Sequence, residues 1–135
     1  MEIREYKGWL MERSYGEGEA LYLVDDPEPL VERIKNDMCR YGKYLTVRYF
    51  ISNIKMSKEQ ANENLNRTVM GETDAKIKSR YSDITGYLWT DEELNVGGHD
   101  LIGELYNCKD KYMIMEIEFY KNKNDIKQTK WKIED

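Results

Sequence analysis

Histidine occurs once in this chain and cysteine twice, and each scarcity closes off a class of chemistry. His99 has no second histidine with which to build a multi-histidine metal site. Cys39 and Cys108 lie far apart and form no C-x-x-C pair, which excludes a zinc finger and argues against a secreted disulfide framework. No apolar run approaches the length of a membrane span. The opening Met1-Glu2-Ile3-Arg4-Glu5-Tyr6 is polar and charged, so no signal peptide is expected and the cytoplasm is the expected compartment. A G-x-x-x-x-G-K-S/T phosphate loop is missing, as is a strand-linked G-x-G-x-x-G.

Basic residues are missing from one long stretch. Between Tyr81 and Cys108 there is no Lys or Arg, while Asp83, Asp91, Glu92, Glu93, Asp100 and Glu104 all fall there. The tail beginning at Lys121 reverses the balance, with five lysines against three acids. This asymmetry suggests an acidic face and a basic one, although ordinary solvated loops give the same pattern. The net charge of −5 disfavours direct nucleic-acid binding, because phosphate contacts supply most of the non-specific affinity.

What is abundant settles the class. Eleven Tyr, three Trp and two Phe in 135 residues are too many for a disordered chain. A chain of this length can bury a core without metal or disulfide staples, so a single compact domain over 1–135 is expected. Asp26 and Pro27 suit the cap and first position of a helix carrying Leu30, Val31, Ile34, Met38 and Tyr41, with Gly42 as its stop. Leu45, Val47, Tyr49 and Ile51 then alternate as a strand. Ser57 and Gln60 form a capping box, with Met56 and Ala61 as a staple, opening a helix near 57–70 that Gly71 ends. Ile84–Trp89 reads as a short strand, and Thr90 with Glu93 as a second capping box before Gly97-Gly98. Asp100 caps a helix bearing Leu101, Ile102, Leu105 and Cys108, and Met113, Met115, Ile117 and Phe119 mark the clearest strand. Trp131 and Ile133 permit a further edge strand in the tail 122–135.

The two ends of this plan look alike. Gly8-Trp9-Leu10 leads to the Leu30 helix and the Tyr44 strand, as Gly86-Tyr87-Leu88 leads to the Leu101 helix and the Tyr112 strand. Registering Tyr44 on Tyr112 superposes the inward residues of both strands and places Arg48 and Glu116 at matching outward positions. An α/β (α+β) fold is therefore expected, with duplicated halves at 3–53 and 83–121 in the manner of a ferredoxin-like β-α-β-β-α-β domain, the 57–70 helix being inserted between them. Any two amphipathic strand–helix–strand units share such a pattern, so duplication and coincidence both stand.

The densest group of candidate functional residues is Tyr87, Trp89, Asp91, Glu92 and Glu93, followed by Gly97, Gly98, His99 and Asp100. It joins aromatics, acids and the one histidine around a glycine pair that allows close backbone approach. Divalent metal could use the acids, but Glu93 and Asp100 already have capping roles, so no metal or cofactor is assigned. His99-Asp100 matches the dipeptide of metal-dependent HD phosphohydrolases, which need further histidines that this chain does not have. A Cys108–His99 nucleophilic pair is weakened by the place of Cys108 on an apolar helix face, where a small buried thiol is the common outcome. RNA recognition by tyrosines on such a sheet requires a basic-Gly-aromatic signature that is missing. Protein recognition remains, with Tyr87 and Trp89 supplying contact area and the acids steering toward a basic, nucleic-acid-binding partner. A small-molecule or nucleotide binder, or a metal-dependent phosphoester-processing enzyme using the acids and His99, is the alternative. No membrane partner is expected, and homo-oligomerisation is left open.

The stretch Gly86-Tyr87-Leu88-Trp89-Thr90-Asp91-Glu92-Glu93-Leu94-Asn95-Val96-Gly97-Gly98-His99-Asp100-Leu101 resembles small uncharacterised proteins of phages and prophages of Gram-positive bacteria, with Tyr41-Gly42-Lys43-Tyr44 and Arg80-Tyr81-Ser82-Asp83 adding to the likeness. The resemblance spans roughly residues 41–120 and brings no catalytic residue or cofactor with it. What it implies is a phage accessory role, such as an anti-CRISPR-like inhibitor of a host defence system.

Overall fold

The computed structural model of the chain describes residues 2–16, 18–63, 68–74, 76–82 and 87–122, with side chains at 2–16, 18–61, 94 and 96–122. Its elements run β1 (Glu2–Tyr15), β2 (Gly18–Leu23), α1 (Leu30–Tyr41), β3 (Tyr44–Ser52), α2 (Lys58–Glu63), β4 (Thr68–Asp74), β5 (Lys76–Ser82), β6 (Tyr87–Val96), β7 (His99–Asp100), α3 (Leu101–Tyr106) and β8 (Tyr112–Tyr120). The architecture is mixed α+β, with a five-stranded antiparallel sheet in the order β2-β1-β8-β3-β4 and a smaller sheet β5-β6-β7.

Alternation sorts the central strands into two faces. Leu45, Val47 and Tyr49 of β3, and Met113, Met115, Ile117 and Phe119 of β8, point into the main core with Tyr6 and Leu10 of β1. Helices α1 (Leu30, Val31, Ile34) and α3 (Leu101, Ile102, Leu105) cover that face, joined by Leu94 and Val96 of β6. Fully burying one such side chain contributes about 1.5–3 kcal/mol, which is why both helices must lie on this face. On the opposite face Phe50, Tyr112 and Ile114 meet Ala61 of α2, with Trp9 and Met56 packed beside them. Trp9 and Tyr112 stack edge to face at 5.4 Å.

Several expectations are met in detail. Ser57 Oγ accepts from the Gln60 backbone N–H at 3.2 Å and the Gln60 side chain accepts from the Ser57 N–H at 2.9 Å, the reciprocal pattern of a capping box. Asp100 accepts from the Gly103 N–H at 3.1 Å and caps α3. Gly42 ends α1, its N–H donating to the Met38 carbonyl. Arg48 and Glu116 are direct partners in the β3–β8 register.

Others are corrected. Helix α1 begins at Leu30 with Pro29 at its cap, not at Asp26 and Pro27. The Asp26 carboxylate instead takes the Glu28 N–H and the Arg33 guanidinium, and so ties the loop to the first turn from outside. The helix expected over 57–70 is described over Lys58–Glu63 and its 64–67 part lies outside the described residues, but it does not reach 70, because Val69 and Gly71 lie on β4, paired with Arg48 and Val47. Thr68, Val69 and Thr73 are β-branched and favour a strand once the outer edge of β3 offers ladder hydrogen bonds. Thr90 and Glu93 cap nothing, because β6 continues through them to Val96. Gly97 and Gly98, with φ of 58° and 82°, make a two-residue turn of the hairpin kind, and Val96 pairs with His99 across it. Cys108 follows α3 rather than lying on it, half-buried against the core.

The sheet order also departs from a ferredoxin-like arrangement of two β-α-β halves. Strand β8 sits between β1 and β3, while β6 joins a different sheet. Pairing explains the departure: β1 runs 14 residues and offers two long ladders, one to β2 and one to β8. Ile84 and Gly86 of the expected strand, and the tail strand at Trp131 and Ile133, lie outside the described residues.

Candidate functional site

The segment singled out in the sequence divides between one strand, one turn and one helix start. Tyr87, Trp89, Asp91, Glu92 and Glu93 lie on β6, Gly97 and Gly98 form the turn, and His99 and Asp100 make β7 and lead into α3. Gly97, Gly98, His99 and Asp100 are all exposed. This projecting turn is held from behind, because Leu94 and Val96 just before it and Leu101 and Ile102 just after it are fully buried.

Local bonding already occupies the two titratable groups at the tip. His99 Nδ1 lies 3.2 Å from Glu104 Oε2, an i to i+5 contact between the strand and the first turns of α3. Asp100 is engaged by the Gly103 N–H. Among the described residues no group of three or more His, Cys, Asp and Glu is arranged to hold a metal ion.

The acidic stretch is less isolated than its sequence suggests. Strand β5 brings Lys76, Lys78 and Arg80 alongside β6, with Lys78 opposite Glu93 and Arg80 opposite Trp89. The register shifts between Lys78 and Arg80, so Asp91 and Glu92 fall in the irregular part of β6 and have no basic residue directly opposite. Charges counted along the chain do not show which acids lie opposite bases; pairing with an upstream strand decides that.

A second constellation lies on the face of the large sheet away from α1. Glu116 Oε1 accepts from Arg48 Nη2 at 2.6 Å, and its Oε2 lies 2.8 Å from Lys58 Nζ. Lys58 also reaches Glu5 at 3.3 Å, and Glu5 meets Lys7 at 3.5 Å. Burial by itself would raise the Glu116 carboxyl, but the Lys58 hydrogen bond and the charges of Arg48 and Lys58 outweigh it and hold the group below its ordinary value. The same hydrogen bond to Glu116 raises Lys58. Beside this chain of charges is a cleft of about 270 Å³ with Phe50, Ala61 and Ile114 as its apolar wall. The network fastens the short α2 to β1 and β8. Only its Arg48–Glu116 link had a signal in the sequence, because Lys58 and Glu5 meet solely through the order of the strands.

A third cluster ties β1 to α1. Tyr6 donates to Asp37 Oδ2 at 2.5 Å, and Arg4 donates to the Tyr41 hydroxyl while lying over the ring, 4.6 Å from its centroid. Burial, then the bond to Asp37, pushes the Tyr6 phenol well above its ordinary range. Both cysteines are free thiols, Cys39 exposed and Cys108 half-buried. Among the described residues no helix is long and apolar enough to cross a membrane. No family model matches the chain, and no curated protein or solved structure matches it either.

Proposed function

We propose that this chain is a non-enzymatic binding protein that docks a protein partner through the β6–β7 turn and the adjoining acidic part of β6. The observation that carries the reading is the exposed run Gly97-Gly98-His99-Asp100, anchored on both sides by fully buried residues. A contact loop fixed in this way loses little entropy on binding. Asp91 and Glu92, with no base opposite them in the β5 register, supply charge for a basic partner such as the nucleic-acid cleft of another protein. Tyr87 and Trp89 add contact area, and Gly97 and Gly98 admit the partner backbone. The resemblance to phage and prophage proteins gives the biological setting: an accessory protein acting in the bacterial cytoplasm, inhibiting a host defence system in the manner of an anti-CRISPR. The strand–helix–strand halves at 3–53 and 83–121 are read as an ancestral duplication, supported by the equivalent places of Arg48 and Glu116 in their two strands.

The test is charge reversal at the two acids that have no base opposite them in the β5 register. The double variant Asp91→Lys/Glu92→Lys is expected to keep the wild-type melting curve and to lose the protein recovered with the tagged wild type from a Gram-positive host, as read by native mass spectrometry. A variant that retains the same partner would overturn the assignment.

A further inference from the structure

Away from the acidic turn, the C-terminal end of α1 and the end of β8 flank an open surface hollow of about 570 Å³. Four cations line it, Lys35 and Arg40 from α1, Lys43 from the following turn and Lys121 just beyond β8, over a floor that includes Met38 and the exposed Cys39. Their convergence is a product of tertiary structure. At Gly42 the backbone passes so close to Tyr120 and Lys121 that a Cβ there would stand 2.1 Å from the Tyr120 carbonyl oxygen. That approach draws Lys121, which follows Arg40 by some eighty positions in the sequence, to the last turn of the helix.

Among the described residues no carboxylate lines the hollow and none of its four cations forms an ion pair. Elsewhere among the described residues Arg33, Arg48, Lys58, Lys7 and Lys109 are matched to acids, and the cations without an ion pair (Arg4, Arg13, Lys55 and Lys111) do not gather around one hollow. The helix C-terminus offsets only about half an elementary charge of the four. The negative net charge of the chain does not cancel this local field either, because a Debye length of about 8 Å at physiological salt screens the more distant acids.

We propose that this hollow binds a phosphate-bearing small molecule of nucleotide size. Its volume falls within the range of roughly 300–1,000 Å³ usual for such sites. Arg40 presents a fork suited to phosphate oxygens, the three lysines add point charges, and the Met38–Cys39 floor takes the apolar part of the ligand. The site is independent of the acidic turn, so it stands or falls apart from the docking role assigned above.

Cys39 provides a reporter inside the site and Cys108 a reference outside it. The full chain is alkylated with neutral iodoacetamide, and the two thiols are followed separately by peptide mass spectrometry with ATP, inorganic pyrophosphate or a short single-stranded oligonucleotide present. Millimolar ATP is expected to slow Cys39 several-fold and leave Cys108 unchanged. In the variant Lys43→Gln/Lys121→Gln, which removes two exposed cations and no ion pair, the half-protecting ATP concentration should rise at least about tenfold. Absence of protection, or equal protection in the variant, overturns the site. Protection by pyrophosphate as strong as that by ATP overturns the role of the apolar floor. Protection by the oligonucleotide at far lower concentration replaces a small-molecule ligand with a nucleic acid.

Discussion

Replacing Gly42 with alanine tests how tightly the end of α1 is built against β8. Gly42 has φ 138° and ψ 156°, a region populated almost only by glycine, and forcing an L-residue there costs about 1–3 kcal/mol. The added Cβ would also lie 2.1 Å from the Tyr120 carbonyl oxygen, 2.3 Å from its carbon and 2.7 Å from the Lys121 nitrogen. These are backbone atoms of a core strand, so no side chain can swing aside. Relief requires β8 to part from β3 near the Tyr44–Tyr120 pair, an overpacking cost of about 1–3 kcal/mol. The two contributions together give about 2–6 kcal/mol. Gly98→Ala provides the control, because φ there is 82° but nothing lies within 4 Å of the added Cβ. Its cost is conformational alone, about 1–2 kcal/mol. Urea unfolding of the two variants beside the parent protein separates strain from steric collision. A Gly42→Ala loss within about 0.5 kcal/mol of the Gly98→Ala loss would refute the close approach of α1 to β8.

Glu116→Gln removes the charge between Arg48 and Lys58 and should cost about 1–2 kcal/mol at neutral pH, less than a buried pair because Lys58 is half exposed. Since the folded carboxyl titrates below its ordinary 4.5, its contribution is present above that pH and is lost as pH falls through the folded value, so the variant should show a flatter acid limb in urea midpoints measured against pH. Ser57→Ala breaks the capping box of α2 and is expected to lower stability by about 1 kcal/mol, with amide exchange in 58–61 rising before that of β8. Tyr6→Phe deletes the bond to Asp37 at about 1 kcal/mol. The Tyr6 phenol is raised above its ordinary 10.0, so the stability tied to its proton is full below that pH and declines as pH rises beyond it, and thermal melts of the variant should show less alkaline loss than the parent.

The parts of the fold that were legible beforehand are those whose signal is complete within a dozen residues. Alternation in 112–120 and 44–52 shows which residues face the core, because a period of two leaves a strand no other way to bury them. The capping residues Ser57 and Asp100 were legible for the same reason: the cap and the N–H it satisfies are three residues apart. The errors fall where local and distant preferences compete. The 57–70 stretch carries a narrow helical stripe, but its 68–70 part joins β4 and takes the ladder that the outer edge of β3 offers. The candidate site is legible as a segment, but its charge balance is not, because Lys78 lies opposite Glu93 only through the pairing of β5 with β6.

By itself, the sequence determined that this chain folds, which residues of its two central strands and main helices turn inward, and where α1 and α3 are stopped or capped, all consequences of backbone periodicity and local hydrogen bonding. Tertiary structure decided the strand order, the network of Lys58 with Glu116 and Glu5, and the gathering of Lys35, Arg40, Lys43 and Lys121 around one hollow. Those features depend on which distant segments compete best for the same hydrogen bonds and the same buried area. No window of sequence contains that competition, because its outcome is set only when all the strands are present together.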